Sequence, residues 1–92
     1  LLVNTARGAL VDETALILAL RERRLAAAAL DVISREPPPA DHLIVQAAKE
    51  LDNLLVTPHT AWSAREARER LLGEVEENIR AFFEGKPRNI VV

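Results

Sequence analysis

Apolar residues in the first part of the chain come in short blocks that turn-forming residues separate. Residues 1–5 begin with Leu-Leu-Val and are followed by Gly8, so they predict a buried strand that ends in a turn. Residues 54–57 form a second apolar block, which Pro58 stops. They predict another buried strand.

Two segments between these strands have the spacing of amphipathic helices. Asp12 can cap a helix that begins at Glu13, where apolar residues recur at helical intervals. Asp41 can cap a short helix that runs to about Leu51. The three prolines of residues 37–39 lie between these helices and enforce an extended linker.

The last third of the chain predicts one long helix. Ser63 and Glu66 have the spacing of a capping box, in which each side chain bonds to the other residue's backbone. Gly85 suits the position just after the helix end, and Pro87 prevents its continuation. Residues 89–92 could add a last short strand. The apolar stripe of the helix consists of Ala67, Leu71, Val75, Ile79, Phe82 and Phe83.

Residues 25–32 allow two interpretations. They contain four consecutive alanines, which are the best helix formers, and propensity alone would extend one helix from Glu13 to about Ile33. The alternative is a strand buried on both faces, where small side chains let helices approach closely. Tertiary packing often overrides propensity, so the residues alone leave both possibilities open.

The order of elements indicates an α/β domain with a parallel sheet. In open parallel sheets, ligands bind beyond the carboxyl ends of the strands. Polar clusters of this chain fall at those ends. The topology could therefore bring Arg7, Glu36 and His59 to a common crevice.

Composition narrows the class of protein. The 92 residues suffice for one small domain, and no apolar run reaches the roughly 20 residues of a membrane span. Twelve basic and fourteen acidic side chains give a net charge of −2, which argues against a nucleic-acid partner. The absence of cysteine excludes a disulfide framework and a thiolate metal site. The chain lacks methionine and opens on an apolar run, so we expect a part of a larger domain.

Several polar residues at predicted strand ends are candidates for chemistry. Arg7 can hold a carboxylate through two hydrogen bonds, although a structural ion pair is the more common role. His59 suits proton transfer near neutral pH, but a single histidine is more often a loop residue. Glu36 could pair with His59 and favour its charged form. We expect His42 to be solvated, and a buried Asp31 would need partners.

Three motifs in a fixed order turn these separate signals into a family resemblance. They are NTARGALVDE at residues 4–13, ALDV at 29–32 with Glu-Pro at 36–37, and TPHTA at 57–61. In this order they resemble the C-terminal half of the NAD-dependent D-isomer-specific 2-hydroxyacid dehydrogenases, over essentially the whole chain. The sequences AWS at residues 61–63 and GKPRN at 85–89 look most like glycerate dehydrogenases, also called hydroxypyruvate reductases.

The resemblance implies a fold and a function. Residues 1–62 would be the C-terminal half of a Rossmann-type NAD-binding domain, with the alanine-rich stretch as a strand that ends at Asp31. Residues 63–92 would hold the helix that returns to the substrate domain. The enzyme would reduce a short 2-keto acid, hydroxypyruvate or glyoxylate, to the D-2-hydroxy acid with NAD or NADP. It would be a cytoplasmic homodimer with no nucleic-acid or membrane partner.

The resemblance also assigns roles to single residues. Arg7 matches the arginine that binds the substrate carboxylate and polarises its carbonyl. His59 matches the general acid, and Glu36 matches the carboxylate that keeps this histidine protonated. The positions that match the lining of the nicotinamide end are Thr5, Ala6, Arg7, Asp31, His59, Ala61 and Trp62.

Parts of the family pattern are missing from these residues. None of the three glycines belongs to a Gly-x-Gly-x-x-Gly turn, which holds the pyrophosphate of a dinucleotide. We therefore expect the chain alone to be inactive. An alternative function of the same fold is that of the NAD-responsive C-terminal-binding corepressors of transcription, in which an Ala-Trp pair likewise follows the histidine. Turnover of small keto acids would distinguish the two functions.

Overall fold

The computed structural model describes residues 1–91 and confirms an α/β fold. The chain divides into two compact units, Leu1–Ala61 and a second that begins at Trp62. The elements are β1 (Leu2–Asn4), a 3₁₀ turn (Gly8–Leu10), α1 (Glu13–Arg21), β2 (Ala28–Leu30), α2 (Leu43–Glu50), β3 (Leu54–Val56) and α3 (Arg65–Phe83).

The three strands form one parallel sheet in the order β1-β2-β3. Ala28 pairs with Leu2 on one side and with Leu54 on the other, so the three strands are in register. Both strands predicted from apolar blocks are confirmed. Because all strands run in the same direction, their carboxyl ends lie at one edge of the sheet, where the polar segments follow.

The alanine-rich segment is a strand. Helix α1 ends at Arg21, and Arg23 adopts a left-handed backbone with φ of +55°. Backbone pairing with both neighbouring strands outweighs the helix propensity of alanine here. The buried side chain of Ala28 also occupies little space beneath the helices.

The core lies between the sheet and helices α1 and α2. Leu20 of α1 and Ile44 of α2 are fully buried. On the opposite face of the sheet Val3 and Leu55 are each 61% exposed, and Ala29 between them is half-buried. The alanine-rich strand is therefore not fully buried on both faces, contrary to the expectation for a strand there. The buried apolar cluster consists of Leu16, Leu20, Ala28, Leu30, Ile33, Ile44, Ala47 and Leu54.

The predicted cap of α1 is confirmed and that of α2 is wrong. Asp12 accepts a hydrogen bond from the backbone N–H of Ala15, at 2.9 Å. Helix α2 is capped instead by His42, whose Nδ1 accepts from the N–H of Ile44 at 3.3 Å. His42 is only 8% exposed, which contradicts the expectation of a solvated side chain. The His42 ring is buried at the start of the helix, where it reaches the N–H of Ile44, whereas the Asp41 side chain is exposed.

The second unit is the long helix α3 and its tail. The helix begins one residue later than the capping box predicts, so Ala64 is the N-cap and offers no side-chain acceptor. The predicted end is confirmed, because Gly85 has φ of +71° and the N–H of Lys86 bonds to the carbonyl of Ala81 at 2.9 Å. Residues 89–91 form no strand, and Val92 lies outside the described residues. Among the described helices, none is long and apolar enough to cross a membrane.

Candidate active site

Three segments meet where the parallel strands end. The first follows β1 and contains Arg7, the second follows β2 and contains Glu36, and the third follows β3 and contains His59. These three side chains line one open cleft of about 320 Å³. The structure therefore brings together the three residues that the sequence placed at separate strand ends.

Glu36 and His59 form a hydrogen-bonded pair. Nδ1 of His59 lies 2.7 Å from Oε2 of Glu36, while Oε1 of Glu36 accepts from the backbone N–H of Ile33 at 3.0 Å. The Ile33 bond, and after it the bond to His59, hold the pKa of the Glu36 carboxyl below its ordinary value. Glu36 is thus a carboxylate at neutral pH, and it fixes one ring nitrogen of the histidine. The peptide bond between Glu36 and Pro37 is cis.

The backbone of His59 is held in an uncommon conformation. Its φ of +53° lies in the left-handed region, which histidine, asparagine and aspartate tolerate better than most residues. The N–H of His59 bonds to the carbonyls of Asp31 and Thr57, each at 3.0 Å, and these bonds maintain the turn. Strained backbone of this kind clusters at functional sites, where the surrounding structure enforces it.

Arg7 is exposed at the rim of the same cleft. Its NH1 nitrogen donates to the carbonyl of Ala6 at 2.7 Å. Within residues 1–91 no salt bridge of Arg7 is found, so it does not have the structural ion pair that an arginine at a strand end often forms. The guanidinium can therefore bind an anion that enters the cleft.

Gly8 lets the Arg7 segment approach the Glu36 segment. A Cβ atom on Gly8 would lie 2.0 Å from the carbonyl carbon and oxygen of Ile33 and 2.5 Å from the nitrogen of Ser34. Only glycine fits against this peptide unit. This close approach sets the distance between two walls of the cleft.

Asp31 ties the His59 turn to β2. Its side chain is almost completely buried, and its carboxylate accepts from the hydroxyl of Thr57 at 2.5 Å and from the N–H groups of Thr60 and Ala61 at 2.9 and 2.8 Å. The Thr57 bond and the Ala61 bond are the main reasons why the pKa of Asp31 lies below its ordinary value. Burial removes water from a carboxylate, and these hydrogen bonds compensate for the lost hydration.

We expect Asp31→Asn to destabilise the protein most at neutral pH. A carboxylate with a lowered pKa contributes stability above its unfolded pKa of about 3.8 and loses it as the pH falls through the folded value. The variant amide also points a donor at the N–H of Ala61. Urea unfolding at a series of pH values should therefore show a difference from wild type that shrinks below pH 3.8. The exposed Asp41→Asn is the control, and a pH-independent difference for Asp31→Asn would contradict this assignment.

Three of the residues expected near a cofactor line one groove, and the others lie outside it. Thr5, Asp31 and Ala61 line a groove of about 150 Å³ at the carboxyl ends of the strands. Ala6 lies beside Arg7, and its backbone N–H donates to Oδ1 of Asn4 at 3.1 Å. Trp62 belongs to the second unit and is 57% exposed. The groove combines apolar side chains such as Val3 and Leu55 with the hydroxyl group of Thr5, which suits the nicotinamide end of a cofactor. The chain holds no glycine-rich turn for the pyrophosphate.

Sequence reasoning missed a second polar cluster next to the site. It consists of Glu13, Ser34 and His42, and two of its members, Glu13 and His42, are buried. A glutamate in a first helical turn and a histidine before a helix have common surface roles, so local patterns gave no sign of a contact between them.

Comparisons with known proteins agree with this geometry. The sequence profile of the D-isomer specific 2-hydroxyacid dehydrogenase NAD binding domain matches residues 1–61. The chain is 45% identical over 91 residues to a glycerate dehydrogenase of Methylorubrum extorquens, covering 99% of this chain and 28% of that protein. It is 46% identical over 92 residues to a glyoxylate reductase of Aeropyrum pernix, covering 99% of this chain and 26% of that protein.

A solved structure gives the same result. The D-isomer specific 2-hydroxyacid dehydrogenase of Xanthobacter autotrophicus Py2, solved with NADPH and MES, matches with a TM-score of 0.62 and 42% identity, over 98% of this chain and 28% of that one. The chain thus spans between a quarter and a third of the length of these proteins. It belongs to the D-isomer-specific 2-hydroxyacid dehydrogenase family, and residues 1–61 match the NAD-binding domain of that family.

Proposed function

We propose that the full-length protein reduces a short 2-keto acid, hydroxypyruvate or glyoxylate, to the D-2-hydroxy acid with NADH or NADPH. The observation that carries this proposal is the cleft itself. It combines a carboxylate–imidazole pair, at 2.7 Å, with an arginine that has no salt bridge within residues 1–91. Glycerate and glyoxylate are the substrates named for two similar enzymes.

Arg7 is proposed to bind and polarise the keto acid. Its planar guanidinium can form two parallel hydrogen bonds with the substrate carboxylate. The same positive charge attracts electron density toward the neighbouring carbonyl oxygen, where negative charge develops as the carbonyl carbon is reduced. This interaction both orients the acid and makes its carbonyl carbon more electrophilic.

His59 is proposed to supply the proton. Because Nδ1 is bound to Glu36, proton transfer is assigned to Nε2. The carboxylate of Glu36 orients the ring and stabilises the positive charge of the imidazolium before transfer. The carbonyl oxygen gains this proton and its carbon gains a hydride, so the product is an alcohol and the histidine becomes neutral.

The groove beside Thr5 and Ala61 is proposed to hold the nicotinamide end of the cofactor, which supplies the hydride when bound. Asp31 acts there mainly through the backbone that it holds, because its carboxylate oxygens are bonded to Thr57, Thr60 and Ala61. The match to the family's NAD-binding domain and the relative solved with NADPH both support a nicotinamide cofactor.

By similarity to the family, we infer three further properties of the whole protein. Residues 1–62 are proposed to complete a Rossmann-type domain, and residues 63–92 to return the chain to a substrate domain. Helix α3 carries exposed apolar residues, including Leu71, Val75 and Ile79, which a second domain could cover. A homodimer in the cytoplasm is the proposed assembly and location.

Turnover by the full-length protein tests the function. We expect NADH or NADPH oxidation with hydroxypyruvate, glyoxylate or pyruvate, and chiral chromatography should show the D-hydroxy acid when the product is chiral. A parallel titration measures cofactor binding by fluorescence. Cofactor binding without turnover of any of these acids would contradict the proposal and favour a cofactor-responsive binding protein.

A further inference from the structure

A polar cluster of Glu13, Ser34 and His42 lies next to the cleft, and the proposed reaction does not use it. Glu13 stands in the first turn of α1 and is 7% exposed. Its Oε1 accepts from the backbone N–H of Ser34 at 2.7 Å, and its Oε2 accepts from the Ser34 hydroxyl at 2.8 Å. A buried carboxylate is costly unless such bonds compensate for its lost hydration.

His42 completes the cluster from a third element. Its Nε2 lies 3.3 Å from Oγ of Ser34 and 3.8 Å from Oε2 of Glu13. Its Nδ1 accepts from the N–H of Ile44, so Nε2 is the ring nitrogen that carries a proton toward the cluster. The cluster therefore connects the start of α1, the segment after β2 and the start of α2.

The segment that the cluster holds is the one that carries Glu36. Two consecutive backbone N–H groups point to different carboxylates: that of Ile33 to Glu36, at 3.0 Å, and that of Ser34 to Glu13, at 2.7 Å. Gly8 packs against the peptide between them. A shift of this peptide would thus change the position of Glu36 relative to both His59 and Arg7.

We propose that Glu13 is a positioning residue, which fixes the Glu36 carboxylate against His59 by anchoring the segment after β2 through Ser34. This inference rests on the proposed function for its effect on turnover. The contact itself is a property of the fold and can be tested without turnover. Ser34 transmits the constraint, and His42 supports it from α2.

The test compares Glu13→Ala with Glu13→Gln in the full-length protein. The alanine variant loses both bonds to Ser34, whereas glutamine keeps an oxygen for the Ser34 N–H. We expect kcat to fall about 10-fold to 100-fold in the alanine variant, since a displacement of about 1 Å at a site costs rate on this scale. We expect the KM for the keto acid to change much less, and glutamine to restore most of kcat.

A spectroscopic titration gives a readout that does not depend on activity. The carboxyl carbon of Glu36, labelled with ¹³C and assigned with Glu36→Gln, reports its pKa. In Glu13→Ala this pKa should rise toward the ordinary value of 4.5, because the bonds from Ile33 and His59 that lower it are loosened. Glu50→Ala, which removes an exposed glutamate paired with Arg21, is the control and should leave the pKa of Glu36 unchanged.

Ser34→Ala decides the question if Glu13→Ala does not fold. It removes the hydroxyl bonds to Glu13 and His42 but keeps the backbone N–H bond to Glu13, so it should raise the pKa of Glu36 by a smaller amount in the same direction. A pKa of Glu36 that equals the wild-type value in these variants would overturn the proposal, whether or not the protein turns over keto acids. Failure of the turnover assay together with a raised pKa would contradict the proposed function alone.

Discussion

Replacing His59 with alanine in the full-length protein is expected to lower kcat/KM for the keto acid by about 10²-fold to 10⁴-fold, the contribution of a positioned general acid. The imidazole is the proposed proton donor, and its Nδ1 is held by Glu36 at 2.7 Å. Alanine removes the donor, and solvent cannot replace it at the same position. Initial rates of NADH or NADPH oxidation over a range of keto acid concentrations measure the loss.

A second substitution separates proton transfer from backbone strain. His59 has φ of +53°, where an alanine costs about 1–2 kcal/mol, while asparagine tolerates this region. His59→Asn should therefore lose as much activity as His59→Ala but keep more of the folding stability. Unchanged kcat/KM in the asparagine variant would show that His59 only shapes the turn.

The sheet shows which parts of the fold can be read from local pattern. Residues 1–5 and 54–57 are apolar blocks next to a turn. Both form strands, because such blocks are too short for a helix and turn residues bound them. The alanine-rich segment could not be assigned in this way. Its strand at Ala28–Leu30 exists because β1 and β3 offer backbone partners on both sides, a contact across about 26 residues that intrinsic propensity does not describe.

The site was predictable to a similar extent. Parallel topology places strand ends together, so the sequence alone could predict that Arg7, Glu36 and His59 share a cleft. The anchoring of that cleft could not. Glu13 and Ser34 are 21 residues apart, and only the packed structure shows that the glutamate is buried and bonded to this segment. The same applies to His42, which looks like a surface residue in the sequence.

Gly8→Ala is expected to lower the free energy of unfolding by about 3 kcal/mol, at the upper end of the range for overpacking. The added Cβ would lie 2.0 Å from the carbonyl of Ile33, and both contacting groups are backbone, so no side-chain rotation relieves the clash. Gly73→Ala is a matched control. A Cβ on Gly73 meets nothing within 4 Å in the interior of α3, and alanine should stabilise that helix by about 1 kcal/mol.

The position of Gly8 makes a further effect on activity testable. Gly8 follows Arg7 directly, and the peptide that it packs against lies between the bonds to Glu13 and Glu36. If the backbones separate to admit a methyl group, Arg7 moves away from the Glu36–His59 pair. Under conditions where both proteins are folded, as followed by circular dichroism during urea unfolding, kcat/KM of Gly8→Ala should fall while that of Gly73→Ala stays at the wild-type value. A Gly8→Ala protein with wild-type stability and activity would mean that the two segments can separate without cost, and that their close approach does not set the geometry of the cleft.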